Sequence, residues 1–164
     1  MNRQRLRLGR HSIIGHAYVL TTVCHGRHRW FEHDAAARIV TELFPCLDQQ
    51  GLTASLAWVV MPDHVHWLMQ LRSSTLAHVA QRFKSSSALL LNRMYGRRGR
   101  IWQSCYHDHG IRSDESPQRH AAYILANPIR AGLASRIGEY PHAWCRWPLE
   151  TQAAAASNVQ GAEG

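Results

Sequence analysis

The stretch from Leu56 to Leu71 constrains this chain more than any other, because apolar residues fill most of it and its break is Met61-Pro62-Asp63, a set of turn residues. Thr53 to Val60 and His64 to Gln70 therefore read as two antiparallel strands joined by a tight turn. His64-Val65-His66 opens the second strand. Residues two apart in a strand face the same side of the sheet, so both imidazoles point at one spot, about 6 to 7 Å apart along the backbone. Two convergent neutral imidazoles are a metal-ligand arrangement. A histidine-triad hydrolase would alternate a third His at position 68, and a zinc hydrolase of the His-x-His-x-Asp-His type would need Asp there. Leu68 excludes both. Asp63 precedes His64 and so points to the opposite face, as a turn residue rather than a ligand.

A second constellation lies downstream. Tyr123 and Asn127 stand at i and i+4 on an expected helix ended by Pro128, and so share one face. Tyr18, Tyr95, Tyr106 and Tyr140 lack such an amide partner. A metal centre together with a nucleophilic tyrosine would cut a phosphodiester.

Charge agrees with a polyanionic partner. The formal net charge is +8, and Lys84 is the lysine among 19 basic residues, so the excess is arginine, which clamps phosphates bidentately. With 164 residues and 45% hydrophobic content, the chain can bury a sizeable core. Residues 1–150 read as a single catalytic domain with a basic arm at 1–10, and 151–164, rich in Ala, Gly, Ser and Gln without periodicity, as a disordered tail. Cys24, Cys46, Cys105 and Cys145 are far apart, without Cys-x-x-Cys, which indicates neither a zinc knuckle nor a disulfide framework. The residues after the arm are too broken by Gly15 and His16 for a signal peptide, and nothing approaches the roughly 20 apolar residues of a spanning helix. A cytoplasmic protein, monomer or homodimer, is expected.

Along the chain, Ala17 to Val23 reads as a first strand. Asp34 is placed to cap a helix carrying Ile39, Leu43 and Leu47, kinked at Pro45 and ended by Gly51. A second helix follows from Thr75, with Leu76, Val79, Ala80, Phe83, Leu90 and Met94 on one face. Ile101 to Ile111 reads as a further strand or hairpin arm, and Ser113 or Asp114 as the cap of a third helix with Pro117 in its first turn. The order β-α-β-β-α-β, then a helix, is the split β-α-β, ferredoxin-like arrangement. This α+β fold has a central antiparallel sheet carrying the His-x-His strand and a C-terminal tyrosine-bearing helix.

Met61-Pro62-Asp63-His64-Val65-His66 resembles the His-hydrophobic-His motif of the single-tyrosine HUH transposases, and Tyr123-Ile124-Leu125-Ala126-Asn127-Pro128-Ile129-Arg130-Ala131-Gly132-Leu133 resembles the tyrosine helix of the REP-associated tyrosine transposases. Tyr18 through Phe31, with Thr21, Arg27 and Phe31, is similar to the opening strand and loop of that family. Gly99-Arg100-Ile101-Trp102-Gln103 through Ile111-Arg112 resembles the segment before its tyrosine helix. Insertion-sequence relatives usually carry Gln four residues after the tyrosine. Asn127 is the choice of the REP-associated branch, which sets the expectation on DNA cleavage rather than on autonomous transposition.

The resemblance implies a metal-dependent single-stranded DNA endonuclease and strand transferase. It would act at repetitive palindromic hairpins through a covalent 5′-phosphotyrosine on Tyr123. His64, His66 and the Asn127 oxygen are then the metal ligands, all neutral, which leaves the full charge of the cation for the scissile phosphate. The resemblance implies Mg²⁺ or Mn²⁺, and two imidazoles favour Mn²⁺ or a later metal. DNA contacts are expected from the arm, Arg3, Arg5, Arg7 and Arg10, and from Arg93, Arg97, Arg98 and Arg100 around Gly96 and Gly99, with a solvated charge run as the alternative for each. His120 fits a phosphate or hydroxyl contact or a solvated helix face, and no catalytic role follows for it. His107 and His109 form a further same-face pair without a downstream partner. Strand parity turns Trp67 away from His64 and His66, toward the core. A non-catalytic hairpin-binding protein on the same scaffold is the alternative. A small hydrolase unrelated to DNA is disfavoured by the basic balance.

Overall fold

The computed structural model describes residues 12–148, so the arginine arm and the tail of the sequence reading lie outside the described residues. At its centre, β2 (Thr53–Met61) and β3 (His64–Leu71) pair antiparallel around the Pro62-Asp63 turn, from Thr53 opposite Leu71 to Met61 opposite His64, with a one-residue register shift between Ser55 and Ala57. β1 (Ala17–Val23) lies on the other side of β3, with Thr21 opposite His66. β4 (His107–Gly110) pairs with β1, and β5 (Ala143–Cys145) pairs with β2, giving an antiparallel sheet of order β4-β1-β3-β2-β5. The first four strands, joined through α1 (Asp34–Gln49) and α2 (Leu76–Tyr95), are the expected split β-α-β arrangement. β5 is an addition that the sequence did not announce.

Both faces of the sheet are covered, and this explains why β2 and β3 read as nearly continuous apolar runs instead of alternating ones. On one face, Val40, Phe44 and Leu47 of α1 and Val79, Ala80 and Phe83 of α2 meet Leu20, Val65, Trp67 and Met69. Phe44 stacks on Trp58 at 4.9 Å and on Phe83 at 5.5 Å, and the buried Trp67 donates its Nε1 hydrogen to Ser55 Oγ at 2.9 Å. Each such side chain contributes about 1.5–3 kcal/mol through burial. Trp67 therefore lies in the core, as parity requires. On the other face, Ala121 and Ile124 of α3 (Pro117–Leu125) close over Ala57, Val59, Met61 and Leu68. By parity this second face also carries His64 and His66.

Several local expectations change. His33, not Asp34, is the N-cap of α1; Asp34 is its first residue, and its carboxylate meets His142 Nε2 at 2.9 Å. Pro45 lies inside α1, which runs on to Gln49. Thr75 does cap α2, accepting from the His78 amide at 3.1 Å, and Gly96 ends it in the left-handed region at φ 59°. The buried face of α2 then follows Phe83, Ser87 and Leu91, leaving Leu90 and Met94 exposed. Ser87 belongs inside because its hydroxyl donates to the Phe83 carbonyl and accepts from Trp102 Nε1. The 101–111 segment is a strand at 107–110 with one separate bridge, Cys24 to Trp102. Ser116, rather than Ser113 or Asp114, caps α3, and Pro117 holds its first position. Pro128 does not end that helix: α3 stops at Leu125, and Pro128 sits in the first turn of α4 (Asn127–Arg130), where its missing amide hydrogen has no intrahelical partner to lose.

Candidate active site

His64 and His66 sit side by side at the start of β3, with ring centroids 4.8 Å apart and planes at 86°. Each ring is held through Nδ1. The Asp63 carboxylate meets Nδ1 of His64 at 2.6 Å, and the Thr21 hydroxyl meets Nδ1 of His66 at 2.9 Å. An imidazole fixed through one nitrogen presents the other in a set direction, so both Nε2 atoms are the ones free to ligate. Burial, the neighbouring His64 and the Arg130 charge together push the His66 ring down to about 4, so it is neutral and ligand-competent near neutral pH. Burial opposes ionisation of Asp63, yet its bonds to His64 and to the Arg27 guanidinium outweigh this and hold the carboxylate below its ordinary range. Asp63 is thus the turn residue foreseen, and it also orients a histidine.

Tyr123 is the exposed member of the five tyrosines, with 67% of its surface accessible. The others are committed to the fold. Tyr18 accepts from the Ile13 amide, Tyr140 donates to the Val60 carbonyl with burial pushing its hydroxyl up to about 12, and Tyr95 and Tyr106 pack against the core. The sheet-facing side of α3 is Ala121, Ile124 and Leu125, which leaves Tyr123 on the solvent side. Arg130 covers the tyrosine ring at 4.1 Å and donates to the Tyr123 carbonyl at 2.7 Å. The charge of the same guanidinium disfavours a proton on His66, so Arg130 acts both on the tyrosine and on the histidine pair. Arg130 stands seven residues after Tyr123, on the following helix α4.

Asn127 opens α4, and its Nδ2 donates to the Ile124 carbonyl at 3.0 Å, which leaves the amide oxygen for another partner. Gathered on one ion, two imidazole nitrogens and one amide oxygen would be a donor set that suits Mn²⁺ or a later divalent ion, while Mg²⁺ prefers a fuller oxygen shell.

The expected arginine loop follows α2 at the histidine end of the sheet. The His25 amide donates to the Ile101 carbonyl, and the Phe31 amide to that of Pro62 in the strand turn. Arg93, Arg98 and Arg100 are exposed there. Arg97 is half-buried, donating to Asn92 Oδ1 at 2.6 Å and lying 4.8 Å over Trp30, so its charge is tied to the loop itself. His107 and His109 are exposed on β4. None of the four cysteines forms a disulfide; Cys24 is buried, which pushes its thiol up to about 12, while Cys46 is exposed. Among the described residues, no helix is long and apolar enough to cross a membrane.

Residues 12–127 match the family described as Transposase IS200 like, a span that includes the His64/His66 pair and ends on Asn127. This chain belongs to that family. A REP-associated tyrosine transposase of Escherichia coli K12 is 28% identical over 91 residues, covering 52% of this chain and 50% of that protein. A Haemophilus influenzae protein carrying the same designation in provisional form is 29% identical over 99 residues, covering 54% and 56%. The chain thus spans about half the length of the curated relatives it matches. A solved REP-associated tyrosine transposase bound to a REP hairpin shares the fold of this chain, with a TM-score of 0.65 at 21% identity over 82% of this chain and 79% of that one.

Proposed function

We propose that this member of the IS200-like family cleaves and rejoins single-stranded DNA beside palindromic hairpins of the REP type, with Tyr123 as nucleophile and His64, His66 and Asn127 as the ligands of a divalent ion. The observation that carries the reading is the double restraint on the histidine pair: Asp63 and Thr21 each occupy one Nδ1, so two rings are aimed before any ion arrives. Preorganisation of this kind is wasted on a histidine that merely packs. The relatives called REP-associated tyrosine transposases, one of them solved on a REP hairpin, support the choice of substrate.

A bound divalent ion would withdraw charge from the scissile phosphate and help orient the in-line attack. The protein supplies the rest. The Tyr123 oxygen attacks phosphorus and loses its proton to solvent. The bond from phosphorus to the 3′ oxygen breaks, that oxygen takes a proton, and the 5′ side stays on the protein as a phosphotyrosine ester. Attack by a 3′-hydroxyl on this ester reverses the step and joins strands without an outside energy source. Arg130, resting on the tyrosine ring, is placed to meet the phosphate as the strand approaches Tyr123. Arg93, Arg98 and Arg100, at the histidine end of the sheet, would hold backbone phosphates and so fix register without reading sequence.

The test is incubation with hairpin-bearing single-stranded DNA and Mn²⁺, followed by denaturing electrophoresis. An adduct that survives denaturant, maps to Tyr123 and carries the DNA 5′ end is expected, with a free 3′-hydroxyl on the released strand. Hairpin binding without adduct or cleavage would replace this reading with that of a non-catalytic hairpin-binding protein.

A further inference from the structure

A second group of ligating side chains lies outside the histidine pair. His109 on β4, Glu115 in the following loop and His120 on α3 present ligand atoms that all fall within 4.8 Å of one another. Nε2 of His120 is 2.6 Å from Glu115 Oε2, and Nε2 of His109 is 3.4 Å from the same oxygen, with the two rings 5.4 Å apart. The other carboxylate oxygen is occupied, accepting from the Arg112 amide at 3.2 Å, and this fixes which way Oε2 points. We propose that His109, Glu115 and His120 form a second metal site, for Zn²⁺ or a similar borderline dication, which fastens the edge of the sheet to the tyrosine helix.

The chemistry favours an ion over a plain ion pair. One oxygen faces two imidazole nitrogens, and both contacts are favourable only if both rings carry a proton there. A single dication replaces those two protons and neutralises the carboxylate as well. Two imidazoles and one carboxylate are a donor set that Zn²⁺ takes when it keeps a fourth, open position for water. Tetrahedral zinc with bonds of about 2.0–2.1 Å needs ligand atoms roughly 3.3–3.4 Å apart. The separation between His109 and Glu115 already fits, the hydrogen bond of His120 must open by under about 1 Å, and the two imidazole nitrogens must come no more than about 1.5 Å closer. His109 is exposed and Glu115 and His120 are half-buried, so these shifts disturb no core packing. Hydrogen bonding to His120 and to the Arg112 amide holds Glu115 down to about 2, so the carboxylate is anionic and ready to ligate.

The position gives the site a consequence. His120 is one helical turn before Tyr123, and His109 stands on the sheet strand next to β1. An ion shared by the two would tie the start of α3 to the sheet, and thereby set where the tyrosine is presented. The test uses untagged full-length protein and Co²⁺, whose visible absorption bands report low-coordinate nitrogen and oxygen ligation, with stoichiometry from equilibrium dialysis. His64→Ala with His66→Ala removes the first site, and this protein is expected to keep one Co²⁺ equivalent and to gain thermal stability when Zn²⁺ is added. Adding His109→Ala alone, at an exposed position that tolerates substitution, should weaken that equivalent at least tenfold; adding Glu115→Gln and His120→Ala as well should abolish it. If the His64/His66 double variant binds no Co²⁺, or if its one equivalent survives the three further changes, the second site does not exist. The two sites are read separately, since loss of the first equivalent in the double variant reports on His64 and His66 alone.

Discussion

Thr21 is the residue at which the account of the histidine pair is most exposed to test. Its hydroxyl is the partner of His66 Nδ1 at 2.9 Å, and it reaches that nitrogen because β1 pairs with β3 in the register that sets Thr21 opposite His66. Thr21→Val exchanges the hydroxyl for a methyl group and keeps the β-branched shape that a strand favours. The backbone ladder stays, and stability should change by about 1 kcal/mol or less, the net contribution of one neutral hydrogen bond. Metal binding should suffer more. Removing the partner of a ligating imidazole typically costs 10–100-fold in affinity, equivalent to about 1.4–2.7 kcal/mol. A neutral hydroxyl supports the ring less than a carboxylate does, so the lower end applies here: about tenfold weaker Mn²⁺ binding. Mn²⁺ titration followed by electron paramagnetic resonance of the free ion measures this directly, with urea unfolding of the metal-free protein as the control for stability. If Thr21→Val binds Mn²⁺ within twofold of the parent protein, the threonine does not orient His66, and the claim of a preorganised pair fails.

Other expectations follow from neighbouring features. Tyr123→Phe removes one oxygen from an exposed ring, so stability should move by less than about 0.5 kcal/mol and hairpin affinity should persist, while cleavage and adduct disappear; a variant that still cuts would assign the attack to water or another residue. Replacing Arg93, Arg98 and Arg100 by Ala should flatten the log-log salt dependence of hairpin binding by somewhat under about 1 per effective contact, and the same change at Arg97, engaged with Asn92 and Trp30, should flatten it less; equal slopes throughout would make the loop a bystander. In metal-free protein, the His66 ring takes its proton near 4 when folded and near its ordinary 6.5 when unfolded. Its contribution to stability is therefore complete above pH 6.5 and declines by about 3 kcal/mol as pH falls to about 4. Urea unfolding across that window, with chelator present, should show a shallower decline for His66→Gln than for the parent, and an unchanged slope would contradict the burial argument.

Much of the scaffold is legible in the sequence because its signals are local. β1 is recovered from its β-branched and aromatic content, and the hairpin of β2 and β3 from two apolar runs with a Pro-Asp turn between them. The His64/His66 pair needs only the two-residue period of a strand. What escapes is of two kinds. Helix starts are ambiguous where several capping residues cluster, and Ser116 prevails over Ser113 and Asp114 because it immediately precedes Pro117, the first helical residue. Leu90 and Met94 look internal until α2 is seen to bury a serine that the Trp102 indole satisfies. Partners that depend on register are hidden altogether. Thr21 is 45 positions from His66, and the approach of His109 to Glu115 and His120 depends on how a loop folds back between a strand and a helix. β5, at three residues, is too short to raise any periodic signal.

That small strand has a bearing on the history of each molecule before it is finished. β2 is nine residues long and apolar on both faces, the kind of segment that recruits a strand from another chain when its edge is open. β5 occupies that edge from Ala57 to Val59, yet it is synthesised long after β2 and β3 have had time to pair. A nascent chain therefore carries an adhesive border until β5 emerges. Among the described residues the sheet is bordered by strands of four and three residues, too short to template a neighbour, so the middle of its most cohesive strand is covered by a segment made well after it.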